Sequence, residues 1–228
     1  MDTSTRTPTS APVAVGPSTE VAARVRRRTL AGLLLTVTGI GIVMSTITNE
    51  ALYPSERAYS TYANTISDLG GTLPPGSYMV QPNRAIFIVT MAIAGALVLV
   101  TTFLLRGTIR RRRVLVALGA MGIGLVGIAI FPGNVAGWHP LFSLIAFVGG
   151  SVATITSRKE LDPPASYVAV ALGVIALVAT VLGIEAFAET WPQTAIGIGG
   201  VERWIAYPVL LWMVLFGTAM MGKTTPEA

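Results

Sequence analysis

The sequence contains no cysteine, and this absence excludes disulfide bonds, thiolate metal sites and cysteine nucleophiles. It contains a single histidine, His139, so imidazole chemistry can come from that residue alone. Charged residues are also scarce, at 12% of the chain against about 25% in a typical soluble domain. A chain of 228 residues with so few charges has too little polar surface to cover a soluble globule.

The sequence contains long apolar runs with few charged residues. A helix needs roughly 20 apolar residues to cross a hydrocarbon layer of about 30 Å. Six runs approach that length, at about 29–48, 86–105, 114–132, 140–156, 165–186 and 204–221. The short alternating segments that mark outer-membrane barrels do not occur in the sequence. The sequence therefore predicts an all-α polytopic membrane protein, a bundle of six transmembrane helices.

Basic residues lie at alternate ends of the six predicted helices. Only Arg57, Arg84 and Arg203 fall on the side opposite to the other arginines and lysines. Because basic residues stay in the cytoplasm during insertion, this bias predicts a multi-pass plasma-membrane protein with both termini cytoplasmic. The net charge of +5 is explained by this topology, and we expect no nucleic-acid partner. We expect membrane lipids to be the partners of the basic loops.

The chain is expected to divide into three parts. Residues 1–28 are predicted to be a disordered basic cytoplasmic tail, since the first twenty are rich in Thr, Ser, Pro and Ala. Residues 29–221 form the transmembrane domain, and 222–228 a short cytoplasmic tail. A long external loop, 49–85, joins the first two helices. A further external loop, 187–203, contains Trp191-Pro192 and a glycine-rich run at 196–200.

Small residues recur four positions apart within the predicted helices, a spacing that lets helix backbones approach closely in lipid. We expect these pairs to pack inside the bundle, with a homo-oligomer interface as the alternative. The pairs are Gly41 and Ser45, Ala120 and Gly124, Gly149 and Ala153, and Ala179 and Gly183.

The residues with chemical potential lie where the predicted helices reach the external side. Ionisable groups at the hydrocarbon boundary usually find partners, so we expect these residues to form one site. The guanidinium groups of Arg84 and Arg203 are well shaped to hold phosphate. The predicted binding residues are Asn64, Asp68, His139, Glu202 and Arg203.

Three chemical interpretations of this cluster stay open. Ser67, Asp68 and His139 supply the side-chain types of a hydrolytic triad. Asp68, His139 and Glu202 supply the ligand types that suit Zn²⁺ and similar ions. The third interpretation is a structural network, in which Asp68 or Glu202 pairs with one of the two arginines and His139 donates to a loop carbonyl. The sequence assigns no cofactor.

Three segments resemble the hallmark of a bacterial membrane-protein family, the domain-of-unknown-function 998 family. They are Tyr59-Ser60 followed by the run 64–70 (NTISDLG), Phe131-Pro132 with His139, and the run 202–208 (ERWIAYP). The resemblance spans about 30–221, and the positions that match it are Asn64, Ser67, Asp68, Gly70, His139, Glu202 and Arg203. The first segment is also similar to one in the eukaryotic Frag/DRAM/Sfk group of six-helix membrane proteins. Both resemblances imply a six-helix fold, and the eukaryotic relatives' links to membrane lipids imply a lipid-related role by analogy.

Three functional classes follow. The first is a membrane protein that binds or organises lipid through an external polar site. The second is a lipid-active hydrolase or transferase, for which Ser67 or a bound metal should lie within about 3 Å of a carboxylate or of His139. The third is a small-solute transporter, which requires a polar path through the bundle. The sequence favours them in that order.

Overall fold

The computed structural model describes residues 19–109, 111–187 and 194–222, and within these ranges the chain is helical with no strand. All six helices are long and apolar enough to cross a membrane. The predicted all-α, multi-pass class is therefore confirmed, while the orientation of the termini stays a prediction. The helices are α1 (Thr19–Ala51), α2 (Asn83–Leu105), α3 (Arg112–Ile130), α4 (Trp138–Thr156), α5 (Ala165–Phe187) and α6 (Gly197–Gly222).

Two helices begin earlier than the apolar runs do. Helix α1 begins at Thr19, so the expected tail 1–28 is wrong for residues 19–28, which are helical. Arg, Ala and Glu favour helix, so the helix extends beyond the stretch that matches the hydrocarbon. Residues 1–18 lie outside the described ranges, as do 223–228 of the predicted C-terminal tail.

Helix α6 begins at Gly197 rather than at residue 204, so most of the glycine-rich run expected in a loop is helical. A side chain at Gly199 would place its Cβ atom 2.2 Å from the carbonyl oxygen of Asn64. Glycine therefore lets this first turn of α6 lie directly against the backbone of the long loop. The Trp191-Pro192 pair lies outside the described residues.

The six helices form a closed ring. Each helix packs against its neighbours in the chain, and α1 also packs against α6. Asn49 near the end of α1 donates to the Asn83 carbonyl at the start of α2, and Arg203 in the second turn of α6 contacts Glu50 at the end of α1. These contacts bring the end of α1 and the starts of α2 and α6 together. We call this end of the ring, covered by the loop 52–82, the loop face.

Apolar side chains fill the inside of the ring and also cover its outside. Leu35, Trp212 and Phe216 are almost completely buried in the interior. Phe103 and Leu211 are large apolar residues that are largely exposed on the outer surface. In water such a surface would promote association, whereas in a bilayer it contacts lipid tails.

Two of the predicted small-residue pairs pack within the bundle. A Cβ atom added at Gly124 would lie 2.5 Å from the backbone nitrogen of Ala146, and one at Gly149 would lie 2.7 Å from that of Met121. At these glycines the backbones of α3 and α4 lie too close together to leave room for a side chain. Gly41, in contrast, has nothing within 4 Å of an added Cβ atom. A homo-oligomer interface stays a prediction.

This difference predicts opposite effects of one substitution at two helical glycines. Gly124→Ala should lower the free energy of unfolding by about 1–3 kcal/mol, because the new methyl group must push α4 away. Gly41→Ala should raise it by up to about 1 kcal/mol through helix propensity. Thermal unfolding in mild detergent, followed by circular dichroism, measures both. Equal effects of the two substitutions would contradict the packing of α3 on α4.

Candidate functional site

The loop 52–82 folds back onto the ring through a 3₁₀ turn, Ser67–Leu69. Leu69 and the preceding Ile66 are buried, and they fasten the turn to the bundle by apolar contact. Gly70 has no room for a side chain, since an added Cβ atom would lie 2.4 Å from the ring of Phe87 in α2. The turn carries two of the predicted site residues, Ser67 and Asp68, to the loop face.

Glu202 of α6 holds the start of this turn. Glu202 is 3% exposed and lies buried between α6 and the loop. The Ser67 hydroxyl donates to Oε1 at 2.6 Å, and the Ser67 amide donates to Oε2 at 3.2 Å. The amide of Ile66 donates to the same Oε2 atom. One carboxylate thus satisfies three donors of the turn, in the manner of a side chain that caps a helix start.

Arg203 fastens a second part of the loop. Nη2 donates to Glu50 Oε1 at 2.5 Å and to the Tyr59 hydroxyl at 2.8 Å. Nη1 donates to the backbone carbonyls of Thr61, Asn64 and Gly199, at 3.2, 3.0 and 2.8 Å. The planar, five-donor guanidinium can make such contacts in two directions at once, which an ammonium group cannot. Arg203 therefore joins α1, α6 and the loop.

The arginine partners differ from those expected in the network interpretation. Arg203 forms its salt bridge with Glu50 rather than with Asp68 or Glu202. Arg84 donates to the Gly70 carbonyl at 3.0 Å and to Asn134 Oδ1 at 2.7 Å. Both Nη atoms of Arg203 donate to protein acceptors. Neither atom therefore has a free donor for the phosphate that Arg203 was expected to bind.

Asp68 and Asn64 make local contacts within the loop. The Thr65 amide donates to Asp68 Oδ2 at 2.8 Å, and the Asp68 amide donates to Thr65 Oγ1 at 3.0 Å. This reciprocal pair is the arrangement of a capping box, and it stabilises the turn. Asn64 Oδ1 accepts from the Ser60 amide at 3.0 Å. Both residues thus shape the loop in which they lie.

His139, at the start of α4, is 5% exposed and is held on both sides of its ring. Nδ1 lies 2.8 Å from the Phe131 carbonyl oxygen, and Nε2 lies 3.4 Å from Ser143 Oγ. A carbonyl can only accept, so Nδ1 carries a proton and donates to it. The expected donation from His139 to a loop carbonyl is confirmed.

The predicted site residues lie at one end of the bundle, but they are not paired as a hydrolytic triad requires. Asp68 is close enough to His139 and to Glu202 for their charges to interact. The Ser67 hydroxyl, however, donates to Glu202, and His139 bonds Phe131 and Ser143. Within the described ranges, no group of three His, Cys, Asp or Glu side chains is placed to hold a metal ion.

Asp68 should make the stability of the protein depend on pH. Burial raises the pKa of the Asp68 carboxyl, while hydrogen bonds from Thr65 and Asn64 and the charge of His139 oppose that rise. The folded protein therefore binds this proton more tightly than the unfolded chain does. By linkage, stability falls as the pH rises from the unfolded pKa through the raised folded pKa.

The substitution Asp68→Asn tests this dependence, because asparagine still accepts from the Thr65 amide but does not titrate. As the pH is raised from about 4 to about 7, we expect the melting temperature of the wild type to fall relative to that of Asp68→Asn. Glu56→Gln changes an exposed carboxyl of the same loop and serves as the control. Its melting temperature should change with pH as that of the wild type does. If the melting temperature of Asp68→Asn changes with pH just as that of the wild type does, burial does not raise the pKa of the Asp68 carboxyl.

Glu50, Tyr59 and Asn49 take part in the site but were not among the predicted site residues. Glu50 and Tyr59 are the side-chain partners of Arg203, and Asn49 pairs with Asn83 through Nδ2–O distances of 3.0 and 2.5 Å. The asparagine pair is almost completely buried. Polar residues at the ends of apolar helices were the available signal, since such groups seldom stay unpaired in a membrane.

A cavity of about 80 Å³ lies inside the ring. Apolar side chains from α1, α2, α3, α4 and α6 form most of its wall, including Phe87, Met121 and Val209. Ser67 and Glu202 form its one polar part, next to the loop face. The hydrogen bond between these two side chains therefore borders an apolar chamber.

A larger groove of about 640 Å³ lies on the outside of the ring, between α5 and α6. Thr61 of the loop and Arg203 border it near the loop face. Ile175 of α5 and Leu211 of α6 border it farther from that face, and both are exposed on the bundle surface. The groove thus has a polar end and an apolar end, and it faces the side on which lipid would lie.

Six helices that can each cross a membrane, joined at one end by buried polar contacts, define a multi-pass helical membrane protein. The chain belongs to the DUF998 family of proteins of unknown function, whose family model matches residues 51–219. This range includes the loop 52–82 and every predicted site residue, while Asn49 and Glu50 of the loop face precede it. No curated protein and no solved structure matches the chain. The predicted family is confirmed, and the distant resemblance to the Frag/DRAM/Sfk group stays a prediction.

Proposed function

We propose that the protein binds a membrane phospholipid in the groove between α5 and α6, with its loop face on the outer side of the plasma membrane. The observation that carries this proposal is the match between the groove and one lipid leaflet. From Gly200 to Leu211, both of which border the groove, α6 advances about 16 Å at 1.5 Å per residue. About 10 Å of that length, from Trp204 to Leu211, lies within the apolar run of α6, and the rest lies toward the headgroups. The groove therefore extends into one half of a hydrocarbon layer of roughly 30 Å.

The polarity of the groove supports the same occupant. Thr61, Arg203 and Tyr207 lie toward the loop face, where a headgroup would be, and Leu172, Ile175 and Leu211 lie where an acyl chain would be. Ligand sites are usually concave, mostly apolar and supplied with a few polar groups. In a bilayer the apolar molecules that surround this surface are lipids.

The other predicted binding residues act on the groove indirectly. Glu202 and Arg203 hold the loop, and the loop supplies Thr61 and Tyr62 to the rim of the groove. Asn64 and Asp68 fix the loop conformation. His139 joins the start of α4 to the end of α3. In this proposal the polar cluster of the loop face shapes a lipid site, and Arg203 is its one member that borders the groove.

A substitution that fills the groove tests the proposal. Ile175→Trp places a large ring in the apolar part, whereas Val174→Trp places the same ring on the exposed surface of α5, at a position that does not line the groove. Native mass spectrometry in mild detergent with added phospholipid counts the bound lipid. We expect the wild type and Val174→Trp to retain phospholipid and Ile175→Trp to lose it. Equal retention by all three proteins would refute the proposal.

A second function is favoured by a separate observation, the 2.6 Å hydrogen bond from Ser67 to Glu202. A hydroxyl that donates to a carboxylate has the geometry of a nucleophile with its general base, and this pair borders the interior cavity. A lipid-active hydrolase or transferase would use it. A fluorophosphonate probe should then label Ser67, with loss of labelling in Ser67→Ala. An unlabelled, folded wild type would exclude a nucleophilic Ser67.

The remaining alternative, a small-solute transporter, has the least support. The interior cavity is lined by apolar side chains except at Ser67 and Glu202. A polar solute would lose its hydration in such a chamber with few groups to replace it.

A further inference from the structure

The groove contains a helix irregularity that bears on which headgroup it accepts. Pro208 lies inside α6 and lines the groove. Proline has no backbone N–H, so it cannot donate to the carbonyl four residues earlier, that of Trp204. The carbonyl of Trp204 is therefore an acceptor without its usual helical donor.

This carbonyl belongs to the face of α6 that forms the groove wall. Trp204, Pro208 and Leu211 are spaced as neighbours on one side of a helix, and all three line the groove. In a helix the carbonyl of one residue points along the axis toward the residue four positions later. The Trp204 carbonyl thus points toward the ring of Pro208, a buried residue that lines the groove.

The carbonyl also lies at the depth of lipid headgroups. The apolar run of this helix starts at residue 204, and Trp204 is exposed, as is typical of tryptophan at a membrane interface. At that depth a backbone acceptor without its helical donor is open to donors of the headgroup region, which include water and lipid headgroups. A headgroup that carries N–H bonds can supply this donor.

The Nη atoms of Arg203, at the polar end of the groove, are not free to bind the phosphate of a lipid. The Nη atoms of Arg203 are directed at Glu50, Tyr59 and three backbone carbonyls, so they offer no strong anchor to a phosphate. Among the described residues the Nε atom of Arg203 has no hydrogen-bond partner, but it is buried and does not reach a ligand in the groove. The Trp204 carbonyl is an acceptor at this end of the groove, and it favours a headgroup that donates.

We propose that the groove selects phospholipids with N–H donors in the headgroup, of the phosphatidylethanolamine class, through the Trp204 carbonyl that Pro208 leaves without a helical partner. This inference rests on the proposed function, since it assigns the lipid class of the same groove. Phosphatidylcholine has the same charges but three methyl groups in place of the three N–H bonds. The two lipids therefore differ in the feature that the carbonyl would recognise.

A series of headgroups that differ by one methyl group tests the inference on the unaltered protein. Phosphatidylethanolamine, its monomethyl and dimethyl forms, and phosphatidylcholine are each supplied with the same acyl chains, and bound lipid is measured by native mass spectrometry. We expect binding to fall along the series, with about a three- to tenfold preference between the two ends, the value of one net hydrogen bond. A flat series, or a preference for phosphatidylcholine through the aromatic rings of Trp204 and Tyr207, would overturn the inference.

Two variants locate the acceptor. Pro208→Ala restores the backbone N–H, and it should bind the four lipids equally while it keeps the total binding of the wild type. Ile175→Trp should lose all four lipids. If Pro208→Ala keeps the preference, the Trp204 carbonyl is not the acceptor. The inference about the headgroup is then wrong, while the proposed binding of phospholipid in the groove is unaffected. If Ile175→Trp keeps its lipid, the proposed function itself fails.

Discussion

Arg203→Leu is expected to lower the free energy of unfolding by about 3–5 kcal/mol, because it leaves a mostly buried carboxylate without its partner. The carboxylate is that of Glu50, whose side chain is 21% exposed and whose salt bridge to Arg203 is 2.5 Å long. The substitution also removes the donor to the Tyr59 hydroxyl and to three backbone carbonyls. In a chain of this size we expect the melting temperature in detergent to fall by roughly 10 °C.

Two further variants separate the salt bridge from general damage. Arg57→Leu removes an exposed arginine of the same loop, which lies 4.8 Å from the centre of the Tyr78 ring, and it should cost no more than about 1 kcal/mol. Arg203→Lys keeps the charge for Glu50 but cannot reach all five acceptors, so its melting temperature should lie between those of the wild type and Arg203→Leu. Similar melting temperatures for Arg203→Leu and Arg57→Leu would contradict the role of Arg203.

Glu202→Leu is also expected to lower the free energy of unfolding by about 3–5 kcal/mol. In this variant buried donors lose their acceptor, whereas in Arg203→Leu buried acceptors lose their donor. It leaves three donors unpaired, the amides of Ile66 and Ser67 and the Ser67 hydroxyl. Glu202→Gln keeps one acceptor oxygen and should lose less stability than Glu202→Leu. Thermal unfolding followed by circular dichroism orders the variants.

Hydrogen exchange can then show where the damage lies. In Glu202→Leu, the amides of residues 65–70 should exchange faster than in the wild type, while those in the middle of α3 and α4 keep their protection. Glu56→Leu, at an exposed position of the loop, serves as the control. Unchanged exchange at 65–70 would mean that Glu202 does not hold the 3₁₀ turn.

The sequence predicted the number and the approximate position of the helices, because both follow from long apolar runs. It did not predict where α1 and α6 begin, because a helix can extend beyond the hydrocarbon whenever its residues favour helix. Thr19 and Gly197 are the two starts that were placed wrongly. Gly197 belongs to a glycine-rich run, and such a run predicts a loop. Its helical structure becomes understandable only from the backbone of the loop 52–82 against which it packs.

The location of the candidate site was also predictable, but its partners were not. Topology alone placed Asp68, His139 and Glu202 at one end of the bundle. Which side chain a carboxylate contacts depends on the path of the loop and on side-chain directions, and these have no signature in the spacing of residues. Glu50 shows the difficulty, because it was assigned to the loop, whereas it lies at the end of α1 and is the salt-bridge partner of Arg203.

The closed ring of helices has a consequence for biosynthesis. Glu50 and Ser67 leave the ribosome early, but their partners Arg203 and Glu202 follow 153 and 135 residues later. These two contacts of the loop face can therefore form only after the last helix has been synthesised. Until then Glu50 lacks Arg203, and the 3₁₀ turn lacks the Glu202 carboxylate. A chain interrupted before α6 lacks both anchors, so its loop is held only by the contacts that it makes with the earlier helices and with itself.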